Sequence, residues 1–190
     1  MKTFQKVWIV LTVSLVITTF GCKTETENTN MQSKADTVNI NGAIAVIHPL
    51  NGSNVSGIVY FKKLLEGIEI TADINGLAPG KHGFHVHEYG DLRAEDGSSA
   101  GGHFNPYDEP HGGPQMEKRH VGDLGNILAP EEGIAHYQMI NKLISFSGES
   151  SIIGRSIIIH EGEDDFTTQP SGNSGERIGG GVIGIANPKY

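Results

Sequence analysis

Short runs of β-forming residues recur between clusters of glycine, proline and asparagine along most of the chain after residue 42. In the run Ile68–Ile74 apolar and polar residues alternate, so one face of a strand would be buried. This spacing is typical of an all-β sandwich or barrel, and no window carries enough helical periodicity to predict a helix. We predict eight strands, over Ala43–His48, Ser56–Lys62, Gly67–Ile74, Gly83–Glu88, Gly125–Ala129, Ile134–Ile140, Ser156–His160 and Gly181–Ala186.

Two stretches interrupt the spacing of the strands, Gly90–Gly122 and Glu161–Gly180. Long loops without secondary structure are uncommon in compact domains, and those that occur are usually functional. We therefore expect the functional site to lie where these two loops meet the strands.

Nine histidines are the unusual part of the composition. His85 and His87 are two residues apart in a predicted strand, so both side chains would project from the same face. Further metal-ligating residues follow at loop and strand ends: His103, His111, His120, Asp123 and His160. Imidazole suits copper and zinc, and a single carboxylate can complete a tetrahedral zinc site. A metal would also order a long loop that contributes little to the core.

The amino terminus predicts export. Residues 1–22 combine Lys2 and Lys6 with a short apolar run that ends in Gly21-Cys22. This segment resembles a bacterial lipoprotein signal, in which Cys22 is lipidated after residues 1–21 are removed; the alternative is an uncleaved apolar anchor. Residues 22–41 are polar and would form a flexible tether, and residues 42–190 would form the domain. We expect a membrane-anchored protein of the bacterial cell envelope, facing the periplasm or the cell surface.

The charge and cysteine content exclude several classes of function and site. The chain has 14 Lys and Arg against 22 Asp and Glu, a formal net charge of −8. This acidic balance argues against a nucleic-acid partner. With one cysteine, the sequence forms no intrachain disulfide and no cysteine-based zinc site.

Six motifs together resemble the copper/zinc superoxide dismutase family: GFHVHEYGD (83–91), SAGGHFNP (99–106), HGGP (111–114), RHVGDLGN (119–126), IIGRSIIIHEGEDD (152–165) and GNSGERIGGGVIGIA (172–186). The resemblance implies an eight-stranded Greek-key β-barrel with two long functional loops, a metal-binding loop and an electrostatic loop. It also implies an enzyme that disproportionates the superoxide anion to dioxygen and hydrogen peroxide, with a copper ion and a zinc ion as cofactors. The alternative is an envelope lipoprotein that sequesters copper or zinc with little or no turnover.

The resemblance also assigns roles to individual residues. Those expected to bind copper are His85, His87, His103 and His160, and those expected to bind zinc are His103, His111, His120 and Asp123. The shared His103 would bridge the metals and help to protonate the product. Asp164 would hydrogen-bond one ligand imidazole at each metal, and Arg177 would hold the substrate anion beside copper.

The sequence departs from the family in two places. The family disulfide would join Gly97 or Ser98 to Gly180, and no cysteine stands at any of these positions. We therefore expect the zinc ligands to fix the loop that supports Arg177. The electrostatic loop contains no lysine between His160 and Arg177, so steering of the anion would be weak.

The resemblance further implies a homodimer. The patch that would form the contact comprises Tyr89-Gly90-Asp91, Ile153-Gly154 and Ile185.

Overall fold

The computed structural model describes residues 39–190. Its strands are β1 (Gly42–Pro49), β2 (Ser56–Lys63), β3 (Ile68–Asn75), β4 (Gly80–His87), β5 (Asp123–Ala129), β6 (Ile134–Asn141), β7 (Ser156–His160), β8 (Arg177–Val182) and the short β9 (Gly184–Ile185). A single 3₁₀ turn, Ser98–Ala100, lies in the loop between β4 and β5. None of the helical structure in this part of the chain is long and apolar enough to cross a membrane.

The strands form a nearly closed antiparallel barrel. Their hydrogen-bonded order is β5-β4-β7-β8-β1-β2-β3-β6, with β9 added beside β1. At the two ends of this order β5 and β6 approach each other, and the Tyr137 hydroxyl of β6 donates to the Leu124 carbonyl of β5 at 2.7 Å. The connections from β3 to β4 and from β6 to β7 skip neighbouring strands, which gives the Greek-key topology. The predicted eight-stranded all-β fold is confirmed.

The interior of the barrel is filled by alternate residues of the strands. Its largest fully buried side chains include Phe61, Ile70, Phe84, Ile127 and Ile157. The alternation predicted in β3 is observed, since Ile68, Ile70, Ala72 and Ile74 are all buried and the intervening residues are not. The core therefore holds the strands from which the histidines project.

One predicted strand is wrong in its position. Gly181–Ala186 was expected to form one strand, but β8 begins at Arg177 and ends at Val182, and the next residues pair with β1 as β9. The three consecutive glycines Gly179–Gly181 concealed the strand, because glycine is depleted in strands. The second long loop therefore ends at residue 176.

The export signal at residues 1–21, the lipid attachment site at Cys22 and most of the tether at residues 22–41 lie outside the described residues.

Candidate metal centre

Two histidine clusters lie side by side on the outer face of β4, beneath the two long loops. Along β4, Phe84 and Val86 point into the core, whereas His85 and His87 point outward and are buried by the loops. A β-bulge between Gly83 and His85 interrupts the pairing of β4 with β5. The strand predicted to carry the two histidines on one face does so.

Neighbouring strands supply further members of the clusters. Asp123 begins β5 and pairs with His85 of β4, and His160 ends β7 and pairs with Arg177 of β8. Three more histidines come from the loop between β4 and β5, His103, His111 and His120, and all three are buried. The pairing of His103 with His87 fixes the first of these on the edge of β4.

The ligating atoms fall into two groups, and within each group they lie no more than 4.8 Å apart. One group comprises His85, His87, His103 and His160, and the other comprises His103, His111, His120 and Asp123. His103 belongs to both, and its ring stacks on that of His85 with centroids 3.9 Å apart. The structure thus brings together all seven residues that the sequence nominated as ligands.

Ring nitrogens face the centre of each group. His85 Nδ1 and His103 Nε2 are buried without a hydrogen-bond partner. His111 Nδ1 and His120 Nδ1 have only Oδ1 of Asp123 near them, at 3.1 and 3.2 Å. Buried polar atoms are nearly always paired, so two orphaned nitrogens beside two others that share one carboxylate oxygen require an explanation. Two metal ions provide one, because each ion would accept the lone pairs that the protein leaves unused.

The remaining ring nitrogens are held by hydrogen bonds to the protein. His87 Nδ1 lies 3.0 Å from the Gly101 carbonyl, and His160 Nδ1 lies 3.2 Å from that of Gly175. These contacts fix which nitrogen of each ring faces the cluster, as bonds around metal ligands usually do. On the side that faces the cluster, His87 Nε2 and His160 Nε2 are 3.3 Å apart.

Burial keeps the first cluster uncharged. It lowers the pKa values of His87 and His160 well below the usual histidine value, and the neighbouring imidazoles lower them further. Burial, followed by the charge of His85, also lowers the pKa of His103 to about 3. Neutral imidazole is the form that binds a metal, so these rings are ready to do so at neutral pH.

The two carboxylates behave in the opposite way. Burial raises the pKa of Asp123, but hydrogen bonding to His103 and His111 outweighs it and leaves the pKa far below its usual range. Asp164 is likewise depressed, because its contacts with His111 and His85 outweigh burial. Both groups are anionic at neutral pH and balance the positive charge that two ions would bring.

Asp164 joins the two clusters. Its Oδ2 lies 2.8 Å from His85 Nε2 and its Oδ1 lies 2.9 Å from His111 Nε2. A Cβ on Gly172 would lie 1.8 Å from Oδ1, so only glycine leaves room for the carboxylate. The resemblance implied that Asp164 contacts one imidazole of each set, and in the structure it contacts His85 and His111.

Arg177 lies at the cavity that leads to the first cluster. A cavity of about 360 Å³ is lined by His87, His103, His160, Ser171 and Arg177, among others. The Arg177 Nη2 donates to the Gly101 carbonyl at 2.7 Å, and Nη1 donates to that of Gly97. The guanidinium is therefore held at the cavity wall without any disulfide.

Two polar residues of the site were missed by sequence analysis. Asn126 exchanges hydrogen bonds with the backbone of Asp164, donating at 2.9 Å and accepting at 2.8 Å. Gln169 does the same with the backbone of His111, accepting at 2.8 Å and donating at 3.0 Å. Asn126 stands in a quoted motif and could have been noticed, but Gln169 acts across 58 residues and gives no local signal.

Comparisons with known proteins agree with this geometry. Residues 55–183 match the family model described as copper/zinc superoxide dismutase. The chain belongs to the copper/zinc superoxide dismutase family. It is 45% identical over 154 residues to a superoxide dismutase [Cu-Zn] of Onchocerca volvulus, covering 75% of this chain and 95% of the relative.

Another relative and a solved structure are also similar. The extracellular superoxide dismutase [Cu-Zn] of Brugia pahangi is 44% identical over 153 residues, covering 76% of each chain. The crystal structure of the clock protein EA4 superposes with a TM-score of 0.71 at 39% identity, covering 77% of this chain and 96% of that one. The chain is thus a superoxide dismutase, which disproportionates superoxide with copper and zinc as its metals.

Proposed function

We propose that the two clusters divide the metals between them. Copper would be bound by His85, His87, His103 and His160, and zinc by His103, His111, His120 and Asp123. The observation that carries this assignment is the donor chemistry. An all-imidazole set suits copper, whereas three imidazoles with one carboxylate suit tetrahedral zinc. The lone pairs would come from the unpaired nitrogens of His85 and His103 and from Nδ1 of His111 and His120, which point at Asp123.

The residues of the chain would serve the reaction in distinct ways. When bound, copper supplies the one-electron oxidation and reduction, and zinc, which has no redox chemistry, orders its ligands. Arg177 would attract the superoxide anion into the cavity and orient it beside His87 and His160, which line the same space.

Proton supply falls to His103. Disproportionation of two superoxide anions consumes two protons, one for each oxygen of the hydrogen peroxide produced. His103 Nε2 faces the first cluster and has no protein partner, so this atom would act either as a ligand or, when it is not bound to a metal, as the carrier of one of the two protons, with the other coming from solvent. The opposite nitrogen, Nδ1, lies 2.8 Å from Oδ1 of Asp123, so the ring is held on the side of the second cluster, where Nδ1 would bind zinc.

We further propose that the protein is an exported lipoprotein of the bacterial envelope. The support is the apolar segment ending in Gly21-Cys22, followed by a polar tether, and the extracellular designation of the Brugia pahangi relative fits export. A Cys22→Ser variant should lose lipid attachment and leave the membrane fraction. Unchanged fractionation with an uncleaved amino terminus would support the apolar-anchor alternative.

The homodimer is proposed on exposed apolar surface. Tyr89, Val182 and Ile185 are each about half exposed, and Gly90 packs so closely on Gly154 that a Cβ would lie 2.2 Å from the Gly154 carbonyl oxygen. This close approach brings two of the three predicted patch segments together, and Val182 Cγ1 lies 3.1 Å from the same Cβ position. Apolar surface of this kind is explained when a second copy covers it.

The experiment that tests the function measures metal content and turnover on one preparation. We expect copper and zinc in equal amounts and a rate of superoxide disproportionation that rises in proportion to copper. A fully loaded protein without turnover would instead support the metal-sequestering alternative.

A further inference from the structure

A second, smaller apolar cluster lies behind Arg177, separate from the core of the barrel. It consists of Leu50, Ala100 and Ile158, which are buried, with the partly buried Leu92 packed against them. Leu50 follows the last residue of β1, Ala100 lies in the long loop, and Ile158 points outward from β7. The cluster therefore joins three parts of the chain that are distant in sequence.

The Leu50 side chain fills the space between the loop and β8. A Cβ on Gly97 would lie 2.9 Å from Leu50 Cδ1, and a Cβ on Gly180 would lie 2.8 Å from the same carbon. Both positions lack a side chain, and Gly97 has a φ of 71°, which favours glycine. One methyl group thus occupies the place where the family resemblance would put a disulfide.

Backbone hydrogen bonds connect the turn that follows β1 both to β8 and to the loop between β4 and β5. The Leu50 amide donates to the Ile178 carbonyl of β8 at 3.1 Å, and the Asn51 amide donates to the Glu95 carbonyl of the loop at 2.9 Å. The loop segment held in this way ends at Gly97 and Gly101, whose carbonyls accept from the guanidinium of Arg177. Loss of the Leu50 side chain would free these acceptors to move.

We propose that Leu50 is a positioning residue for Arg177, acting through the carbonyls of Gly97 and Gly101. This inference rests on the proposed role of Arg177 in binding the substrate anion. It also amends the expectation that the zinc ligands alone fix the loop, because the segment near Arg177 has an apolar anchor of its own.

The test is a double-mutant cycle on the full chain, with rates expressed per bound copper. Leu50→Ala should lower the rate by roughly tenfold, below the ~100-fold that a misplacement of about 1 Å can cost. In an Arg177→Ala background the same substitution should have no further effect, because its route through Arg177 is gone. An equal loss in both backgrounds, or no loss with Arg177 intact, would overturn the proposal.

Two further variants separate positioning from stability. Ile70→Ala, in the main core on β3, should destabilise the fold but keep the rate per bound copper. Leu50→Met nearly conserves the volume of the side chain, so this variant should keep the rate of the unmodified chain. Hydrogen exchange at the Ala100 and Gly101 amides, which close the turn at 3.1 and 3.2 Å, should quicken in Leu50→Ala and not in Ile70→Ala. Unchanged exchange in Leu50→Ala would contradict the proposal.

Should Leu50→Ala fail to load copper, Leu92→Ala removes the same atoms from a less buried member of the cluster. A rate equal to that of the unmodified chain would then count against the inference. Failure of the proposed role of Arg177 looks different. In that case Arg177→Ala itself retains the full rate, whatever the Leu50 variants do.

Discussion

A single carboxylate, Asp164, connects the two histidine clusters. It accepts from the outer nitrogens of His85 and His111 and is itself held by Asn126. Partners of this kind fix ring orientation and raise the basicity of the ligand. One buried side chain therefore sets the geometry of both proposed metal sites at once.

Replacing Asp164 with asparagine should weaken both sites. The amide can accept from one imidazole only, and its NH₂ group would face the N–H of the other. We expect the affinity for zinc and for copper each to fall roughly 10–100-fold, as measured by competition with a chelator. Asp165→Asn is the matched control, because that carboxylate is exposed and contacts only Thr167 and Thr168 nearby. Equal affinities in the two variants would contradict the bridging role.

The loop between β4 and β5 is the element most dependent on metal. Three of its side chains enter the proposed zinc set, and Asp123 also accepts from the amides of Gly112 and His120, both at 3.0 Å. With no disulfide available in this sequence, ligand binding is the main source of extra stability for the segment around residues 104–122. The neighbouring segment around residues 91–101 has the Leu50 cluster instead.

Removal of zinc with copper retained should therefore loosen the loop in part. A ligand present at 1,000 times its Kd stabilises a fold by about 4 kcal/mol, so the melting temperature should fall by roughly 8–16 °C. Hydrogen exchange should quicken over residues 104–122 and change little over residues 91–101. Loss of protection across the whole loop would mean that zinc alone holds the loop in place.

Thiol reductant should leave the melting temperature and the turnover unchanged, because a sequence with one cysteine forms no intrachain disulfide.

Strands β3 and β4 could be predicted from the sequence, whereas the start of β8 and the role of Leu50 could not. Period-two alternation identified β3, and the spacing of His85 and His87 placed both on one face of β4, because these signals are local. The start of β8 was missed, since glycines carry no side-chain pattern. Leu50 was missed for a different reason. Its partners lie about 50 and 130 residues further along the chain, and only the fold brings them together.

The net charge of the whole molecule affects how strongly it attracts its anionic substrate. The formal charge of −8 opposes an anionic substrate, and the loop from Glu161 to Glu176 adds acidic groups and no lysine. Superoxide must therefore be attracted by the positive groups close to the cavity, which are Arg177 and the two proposed metal ions. We therefore expect weaker steering than a lysine-bearing loop would give.

Assembly is tested by sedimentation of the fully metallated protein. We expect two copies to associate through the patch around Ile185 and to bury about 1,200–2,000 Å² of total surface, as stable contacts do. Ile185→Asp should shift the mass to that of a monomer, because it would place a charge in the contact. Leu128→Asp, at a similarly exposed apolar residue on β5, should leave the dimer intact. A monomer in the unmodified protein would reject the proposal.

If the four-imidazole cluster carries the turnover, removal of one of its imidazoles in His87→Ala should abolish it. His87 belongs to the copper set and not to the zinc set, and His48→Ala, at an exposed histidine on β1, is the matched control. Metal content and superoxide disproportionation should be measured together on both variants. The account predicts a loss of more than about 100-fold in His87→Ala with zinc retained, since even indirect partners of a metal contribute 10–100-fold. Full turnover in that variant would contradict the account.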